Sequence, residues 1–207
     1  MGLKGAFEPF RSLEASPHPS DLSSPGADAK TYPRQRTIWT YGMPPIHSNQ
    51  RVAVLADSQN LYHTAHSLYS RNIDYTGLLD AAVHDRELVR AIAYVIRADS
   101  PAEEDFFDAL RDIGFEAKIK EIKTFGDGSK KADWDVGISL DAVTLASHVD
   151  TLVLCSGDGD FSRLCSHLRH EGVRIEVFSF AESTAEELLD AADSFVDMSE
   201  NVDRYLL

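Results

Sequence analysis

From Arg51 onward, short apolar runs alternate with segments of helical period. Val52-Ala53-Val54-Leu55-Ala56 is a continuous apolar run that stops at Asp57, the pattern of a strand covered on both faces. Leu61, Tyr62, Ala65 and Leu68 predict a helix directly after it, and Leu78, Leu79 and Ala82 a second. Residues 89–96 read as another strand. Ser100-Pro101-Ala102-Glu103 then opens a helix that ends near Gly114, with proline in the first turn where its missing N–H costs nothing. In residues 115–122, Phe115, Ala117 and Ile119 alternate with Glu116, Lys118 and Lys120, the period-two pattern of a half-exposed strand. Gly126-Asp127-Gly128-Ser129 predicts a loop. The rest reads as a helix over 134–147, a strand Thr151–Cys155, a helix over 161–170, a strand over 173–178, and a helix over 185–192 opened by Ser183 or Thr184.

Strands that alternate with helices of this length require right-handed parallel crossovers. The expected fold class is therefore α/β, a three-layer sandwich around a mainly parallel sheet of about five strands. In such open sheets ligands sit beyond the carboxyl ends of the strands, where the strand order switches direction. That points to the residues ending each strand.

Composition changes the picture at the front of the chain. Seven of the eight prolines precede residue 50, and the segment 14–30 is rich in Ser, Pro and Asp with few large apolar residues, too little to offset the entropy of ordering. The division this predicts is a largely disordered Pro/Ser-rich arm over 1–48, a folded domain over 49–200, and a short tail over 201–207. The arm also carries Arg34-Gln35-Arg36 followed by Trp39 and Tyr41, cations and rings suited either to stacking on RNA or to packing the tryptophan against the domain.

The 207 residues carry 20 Lys and Arg against 34 Asp and Glu, a net charge of −14. The first 50 residues contribute five basic and four acidic side chains, so the folded part holds the acidic excess. This excludes a generic polycation for nucleic acid or membrane surfaces, while leaving room for a local basic patch. No apolar run approaches the roughly 20 residues that span a bilayer, the start lacks a secretory core, and Cys155 and Cys165 alone make no disulfide framework. A cytoplasmic location without membrane contact is expected.

The candidate chemistry is acidic. Asp57 ends the first strand. Ser156-Gly157-Asp158-Gly159-Asp160-Phe161 follows the fourth, its glycines allowing a tight turn that aims two carboxylates into one space. Asp133-Trp134-Asp135 opens the helix leading into that strand, and Asp141 lies further along it. Each acid singly suits a helix cap. Together, carboxylates in one cleft repel unless a divalent cation or a proton intervenes, and oxygen-only ligation with few protein donors suits Mg²⁺ or Mn²⁺. Such ions hydrolyse phosphodiesters by activating water and stabilising the leaving oxygen. Asn60, one turn beyond Asp57, is placed to orient a ligand.

These motifs carry a resemblance. Asp57-Ser58-Gln59-Asn60-Leu61, the run from Lys131 through Asp133-Trp134-Asp135-Val136-Gly137 to Asp141-Ala142, and Ser156-Gly157-Asp158-Gly159-Asp160-Phe161 resemble the NYN domain, LabA-like branch, of the PIN-like nuclease superfamily. The likeness covers about residues 51–198. It implies a Rossmann-like sheet in order 3-2-1-4-5 and a metal-dependent ribonuclease whose ligands are Asp57, Asp135, Asp158 and Asp160, with Asn60, Ser156, Asp133 and Asp141 in support. It also makes a homodimer reasonable. Arg163 stands where many relatives carry proline, and either Asp133 or Asp135 fits the helix-start position. Asp135, which precedes Val136, is the expected ligand, with Asp133 as the cap. Asp135 and Asp141, six residues apart, lie about 120° around the helix and do not share a face.

Five of the seven lysines, Lys118, Lys120, Lys123, Lys130 and Lys131, precede the acidic helix start. They suit an RNA backbone beside the metals, and they equally suit protection of a sheet edge. Cys155 and Cys165 read as small core residues, and His63 and His66 as helix-surface residues. The chain lacks a phosphate-binding Gly-x-x-x-x-Gly-Lys loop and a full dinucleotide fingerprint, so no nucleotide cofactor is expected. Two other readings stay open. Asp57, Lys131 and the Gly157-Asp158-Gly159 turn also fit a haloacid-dehalogenase-like phosphatase, although Gln59 stands where that family has a second Asp. A non-catalytic RNA- or protein-binding module on the same fold is the other.

Overall fold

The computed structural model describes residues 47–97, 103–121, 123–124, 130–131 and 133–207. The arm up to residue 46, the Ser100-Pro101-Ala102 opening and the Gly126–Ser129 loop lie outside the described residues. Six parallel strands form the main sheet: β1 Arg51–Asp57, β2 Glu87–Arg97, β3 Glu116–Glu121, β6 Thr151–Cys155, β7 Arg174–Ser179 and β8 Ser194–Asp197. Their order is β3-β2-β1-β6-β7-β8. Two short segments, β4 Lys123–Thr124 and β5 Lys130–Lys131, pair antiparallel as a separate ribbon. The main-sheet strand missed in the sequence is β8, only four residues long and half-buried throughout because it forms an edge, and the two-residue ribbon strands were missed as well.

Helices cover both faces. On one side α1 Ser58–Tyr69, α2 Tyr75–Val83 and α3 Glu103–Ile113 pack Leu61, Leu78, Phe107 and Leu110 against Val52, Val54 and Val95. On the other, α4 Asp135–Leu145, α5 Ser162–His170 and α6 Glu186–Ala191 pack Ile138, Ala142, Cys165 and Leu188 against Leu55, Ile92 and Leu154. β1 and β6 are central and buried on both faces, which is why their sequences are continuous apolar runs rather than alternations. Cys155 and Cys165 are free thiols inside this core. Among the described residues no helix is long and apolar enough to cross a membrane.

Two local readings need correction. Residues 201–207 are built into the fold: α7 Val202–Tyr205 buries Tyr205, and Leu206 pairs with Ile73. Arg71 fixes this segment through Leu206 O, Leu207 O and Asp203. Neither Ser183 nor Thr184 caps α6, whose cap position is Ala185, because both hydroxyls donate instead to Phe180 O.

Candidate metal centre

The strand order reverses between β1 and β6, which lie side by side with Ala56 opposite Cys155. Asp57 and Ser156 therefore leave the sheet next to each other. Asp57 is buried, and Oδ1 accepts the Asn60 N–H at 3.1 Å, so the carboxylate caps α1 while facing the switch point. Ser156 Oγ lies 3.5 Å from Asp57 Oδ2 and accepts the Asp158 N–H at 3.2 Å. Asn60 Oδ1 accepts the Gly157 N–H at 2.9 Å, which ties α1 to the β6–α5 loop.

That loop runs close to the β7–α6 connection. A Cβ on Gly157 would stand 2.8 Å from Ser179 Oγ and 3.0 Å from Ser183 O, so only glycine lets the two backbones approach this closely. Beyond it, Asp158 caps the 3₁₀ turn Gly159–Phe161 by accepting the Asp160 N–H. The turn aims both carboxylates toward α4. One oxygen from each of Asp135, Asp158 and Asp160 lies within 4.8 Å of the others. Two ligands across a small divalent ion at about 2.1 Å stand about 4.2 Å apart, so small rotamer adjustments would close this set on Mg²⁺ or Mn²⁺.

Aromatic packing holds the start of α4. Trp134 occupies the cap position and its own side chain makes no capping bond there. Its indole Nε1 donates to Val95 O at 3.0 Å, and its ring meets Tyr94 edge-on. Gly137 makes room for that ring: a Cβ there would come within 2.5 Å of it. Lys120 Nζ sits 5.3 Å from the Trp134 ring centre and donates to Asp133 O at 2.6 Å. Asp135, the first helical residue, is thereby turned into the cleft.

The charges respond as a crowded acidic cleft requires. Burial, reinforced by the nearby charges of Asp135 and Asp158, outweighs the Asn60 hydrogen bond and pushes the Asp57 carboxyl up to about 6. Asp135 is raised by burial and then by Asp133, Asp158 and Asp160. Asp141 behaves oppositely. Burial alone would raise it, but hydrogen bonds from Lys118 and Tyr94 and the charges of Lys118 and Arg90 hold it below the ordinary range. It accepts from Tyr94 Oη at 2.7 Å and from Lys118 Nζ at 2.7 and 2.9 Å, and stands outside the group of Asp135, Asp158 and Asp160.

Of the five lysines, Lys118 and Lys120 share one face of β3; Lys118 reaches Asp141 on α4 and Lys120 the Asp133 carbonyl just before it. Lys123, Lys130 and Lys131 lie on the β4–β5 ribbon. Two neighbours of the site were not legible in spacing. Tyr94 supports Asp141 from β2, and the Glu187 carboxylate stands 2.6 Å from where a Gly159 Cβ would be. The only sequence signal for Glu187 was its place in the first turn of α6.

Residues 51–200 match the NYN domain family. The chain is 30% identical over 158 residues to the low amplitude and bright protein LabA of Synechococcus elongatus, an alignment covering 72% of this chain and 84% of that one. It is also similar to the crystal structure of a protein of unknown function from Vibrio parahaemolyticus: TM-score 0.71, 38% identity, with 79% of this chain and 100% of the other covered.

Proposed function

Because this chain belongs to the NYN domain family, we propose that it is a metal-dependent ribonuclease in which Asp57, Asp135, Asp158 and Asp160 hold Mg²⁺ or Mn²⁺ and RNA is the substrate. The observation that carries this reading is the convergence of Asp135, Asp158 and Asp160, drawn from two separate segments, at the strand-order switch beside the buried Asp57. A purely structural role gives no reason to gather carboxylates whose charges raise the proton affinity of Asp57 and Asp135. When bound, such a cation would stabilise charge on the phosphoryl oxygens and lower the pKa of a water.

The protein's own residues supply position and exclusion. Asp57 and Asp158 are fixed by the hydrogen bonds they accept, so both oxygen sets are preorganised. Asn60 and Ser156 hold the β6–α5 loop against α1. Lys120, Trp134 and Gly137 set the start of α4 and with it Asp135, while Lys118 and Tyr94 anchor Asp141 six residues further along the helix. Lys118 and Lys120 thus act mainly on α4. RNA phosphate contact falls to Lys123, Lys130 and Lys131 on the ribbon beside it. The two reduced core cysteines support a cytoplasmic setting.

The test is cleavage of end-labelled single-stranded and hairpin RNA with Mn²⁺ or Mg²⁺. Wild type should cut, chelator should abolish cutting, and Asp158→Asn should slow it by roughly 10²-fold or more, on the order of losing one charge-stabilising group. Folded wild type that binds Mn²⁺ and RNA without cutting would make the domain a binding module. Hydrolysis of p-nitrophenyl phosphate but not RNA would make it a phosphatase. Cleavage that survives Asp158→Asn would place the site elsewhere.

A further inference from the structure

Nine of the ten arginines among the described residues form an ion pair with an Asp or Glu. The tenth, Arg163, forms none, in a domain where carboxylates are in excess and Asp160 stands three residues before it. The same spacing does pair elsewhere: Asp108 and Arg111 on α3, also three residues apart, are joined. The difference lies in where the acid is committed. Asp160 has a carboxylate oxygen within 4.8 Å of those of Asp135 and Asp158, so it belongs to the acidic group rather than to its own helix face. Arg163 is left exposed on the first turn of α5, about 200° around the helix from the buried Cys165 and so on the side away from the sheet.

We propose that Arg163 is a phosphate-binding residue of the acidic centre, its guanidinium contacting the RNA phosphodiester that is brought to the cation site; this rests on the ribonuclease reading above. Residues three apart on a helical turn have Cβ atoms about 5–6 Å from one another, which places an arginine at the rim of the group that Asp160 joins. Charge requires such a neighbour. One divalent cation among three carboxylates leaves 2 − 3 = −1, and a phosphodiester adds a further negative charge, so its binding needs another cation at short range. Lys118 and Lys120 are committed to Asp141 and to Asp133 O. The β4–β5 ribbon follows β3 at one edge of the sheet, whereas α5 follows the central β6, so Arg163 supplies positive charge from the other flank of the cleft. A guanidinium offers two parallel N–H donors to two phosphate oxygens, and one that pairs with no carboxylate has no partner to give up on binding.

Single-turnover cleavage of end-labelled single-stranded RNA with Mn²⁺ tests the contact in the full-length chain, using Arg163→Gln, Arg163→Lys and, as a charge-matched control on the opposite face of the sheet, Arg111→Gln. Arg163→Gln should lower kcat/KM roughly 10- to 100-fold, the size of one bidentate charge-assisted contact, with an unchanged metal-free melting temperature because no ion pair is lost. Arg163→Lys, which keeps the charge without the fork, should lie between Arg163→Gln and wild type, and Arg111→Gln should stay within about twofold of wild type. Cleavage by wild type with Arg163→Gln no worse than Arg111→Gln would overturn the contact and leave the ribonuclease reading standing. If wild type binds RNA with Mn²⁺ without cutting it, the ribonuclease reading fails, and fluorescence anisotropy on the same variants decides the contact: Arg163→Gln should weaken binding about tenfold, and equal affinity of Arg163→Gln and Arg111→Gln would overturn it. Folded wild type that neither cuts nor binds RNA would overturn both.

Discussion

Asp57→Asn separates the stability of the cleft from its chemistry. In the metal-free protein the Asp57 carboxyl is pushed from 3.8 to about 6, chiefly by burial. The folded state therefore holds this proton more tightly than the unfolded chain does. Between pH 4 and 6 the native state binds more protons, so stability falls as pH rises through that window and the loss is complete above it. A shift of this size corresponds to about 3 kcal/mol at pH 8, an upper figure because water entry and rotamer relaxation reduce it. Asparagine retains an oxygen for the Asn60 N–H and carries no charge to bury. In chelator at pH 8 the variant should be more stable than wild type by about 2 kcal/mol, which for a domain of this size raises the melting temperature by about 4–8 °C. At pH 4 the two should coincide. Paired thermal melts at both pH values read this directly, and saturating Mn²⁺ at pH 8 should favour wild type alone. A variant no more stable than wild type at pH 8, or a gain independent of pH, would refute the buried, mutually repelled carboxylate.

Other consequences follow from the contacts around the cleft. Gly137→Ala drives a methyl into the Trp134 ring and should cost about 1–3 kcal/mol in urea unfolding, with a shifted Trp134 emission, whereas Ala at the exposed Ser147 should cost little. Lys118→Met leaves Asp141 with the Tyr94 hydrogen bond and the more distant charge of Arg90. Because the Asp141 carboxyl is held below its ordinary range, the stability it contributes is present above pH 4 and lost as pH falls through the folded value; the variant should show a weaker acid-side loss in a pH series of melts. Replacing Lys123, Lys130 and Lys131 by Gln should weaken RNA binding and flatten its salt dependence by about three ions' worth of slope, measured by fluorescence anisotropy at several salt concentrations, while leaving Mn²⁺ affinity unchanged.

The sheet was legible where burial leaves a simple mark. β1 and β6 are covered on both faces, and their runs Val52–Ala56 and Thr151–Cys155 contain almost nothing polar. The parallel order then placed Asp57 beside Ser156 from topology alone. β8 escaped because Ser194-Phe195-Val196-Asp197 is short and half-exposed, with a polar residue at each end. In the cleft, capping and chemistry were weighed as alternatives for each acid. Asp158 caps a helical turn while standing in the acidic group, and Asp57 caps α1 while feeling the charges of Asp135 and Asp158, so the two roles are not exclusive. What spacing could not reveal was contact between segments far apart in sequence. Lys118 and Lys120 looked like free cations on a strand face, but they reach Asp141 and Asp133 O across the sheet edge. Gly137 stood in the sequence only as one position of the motif, and spacing gives no sign that the Trp134 ring occupies the space a Cβ would take.

The account stands most directly on where a cation binds. Anomalous diffraction from Mn²⁺-soaked crystals should show a peak between Asp135, Asp158 and Asp160, about 2.2 Å from at least two of their carboxylate oxygens and open on its outer side for phosphate. Asp158→Asn crystals treated identically should lose it. A clear peak elsewhere with this cleft empty, or a peak that persists in Asp158→Asn, would contradict the assignment of these acids as the metal centre.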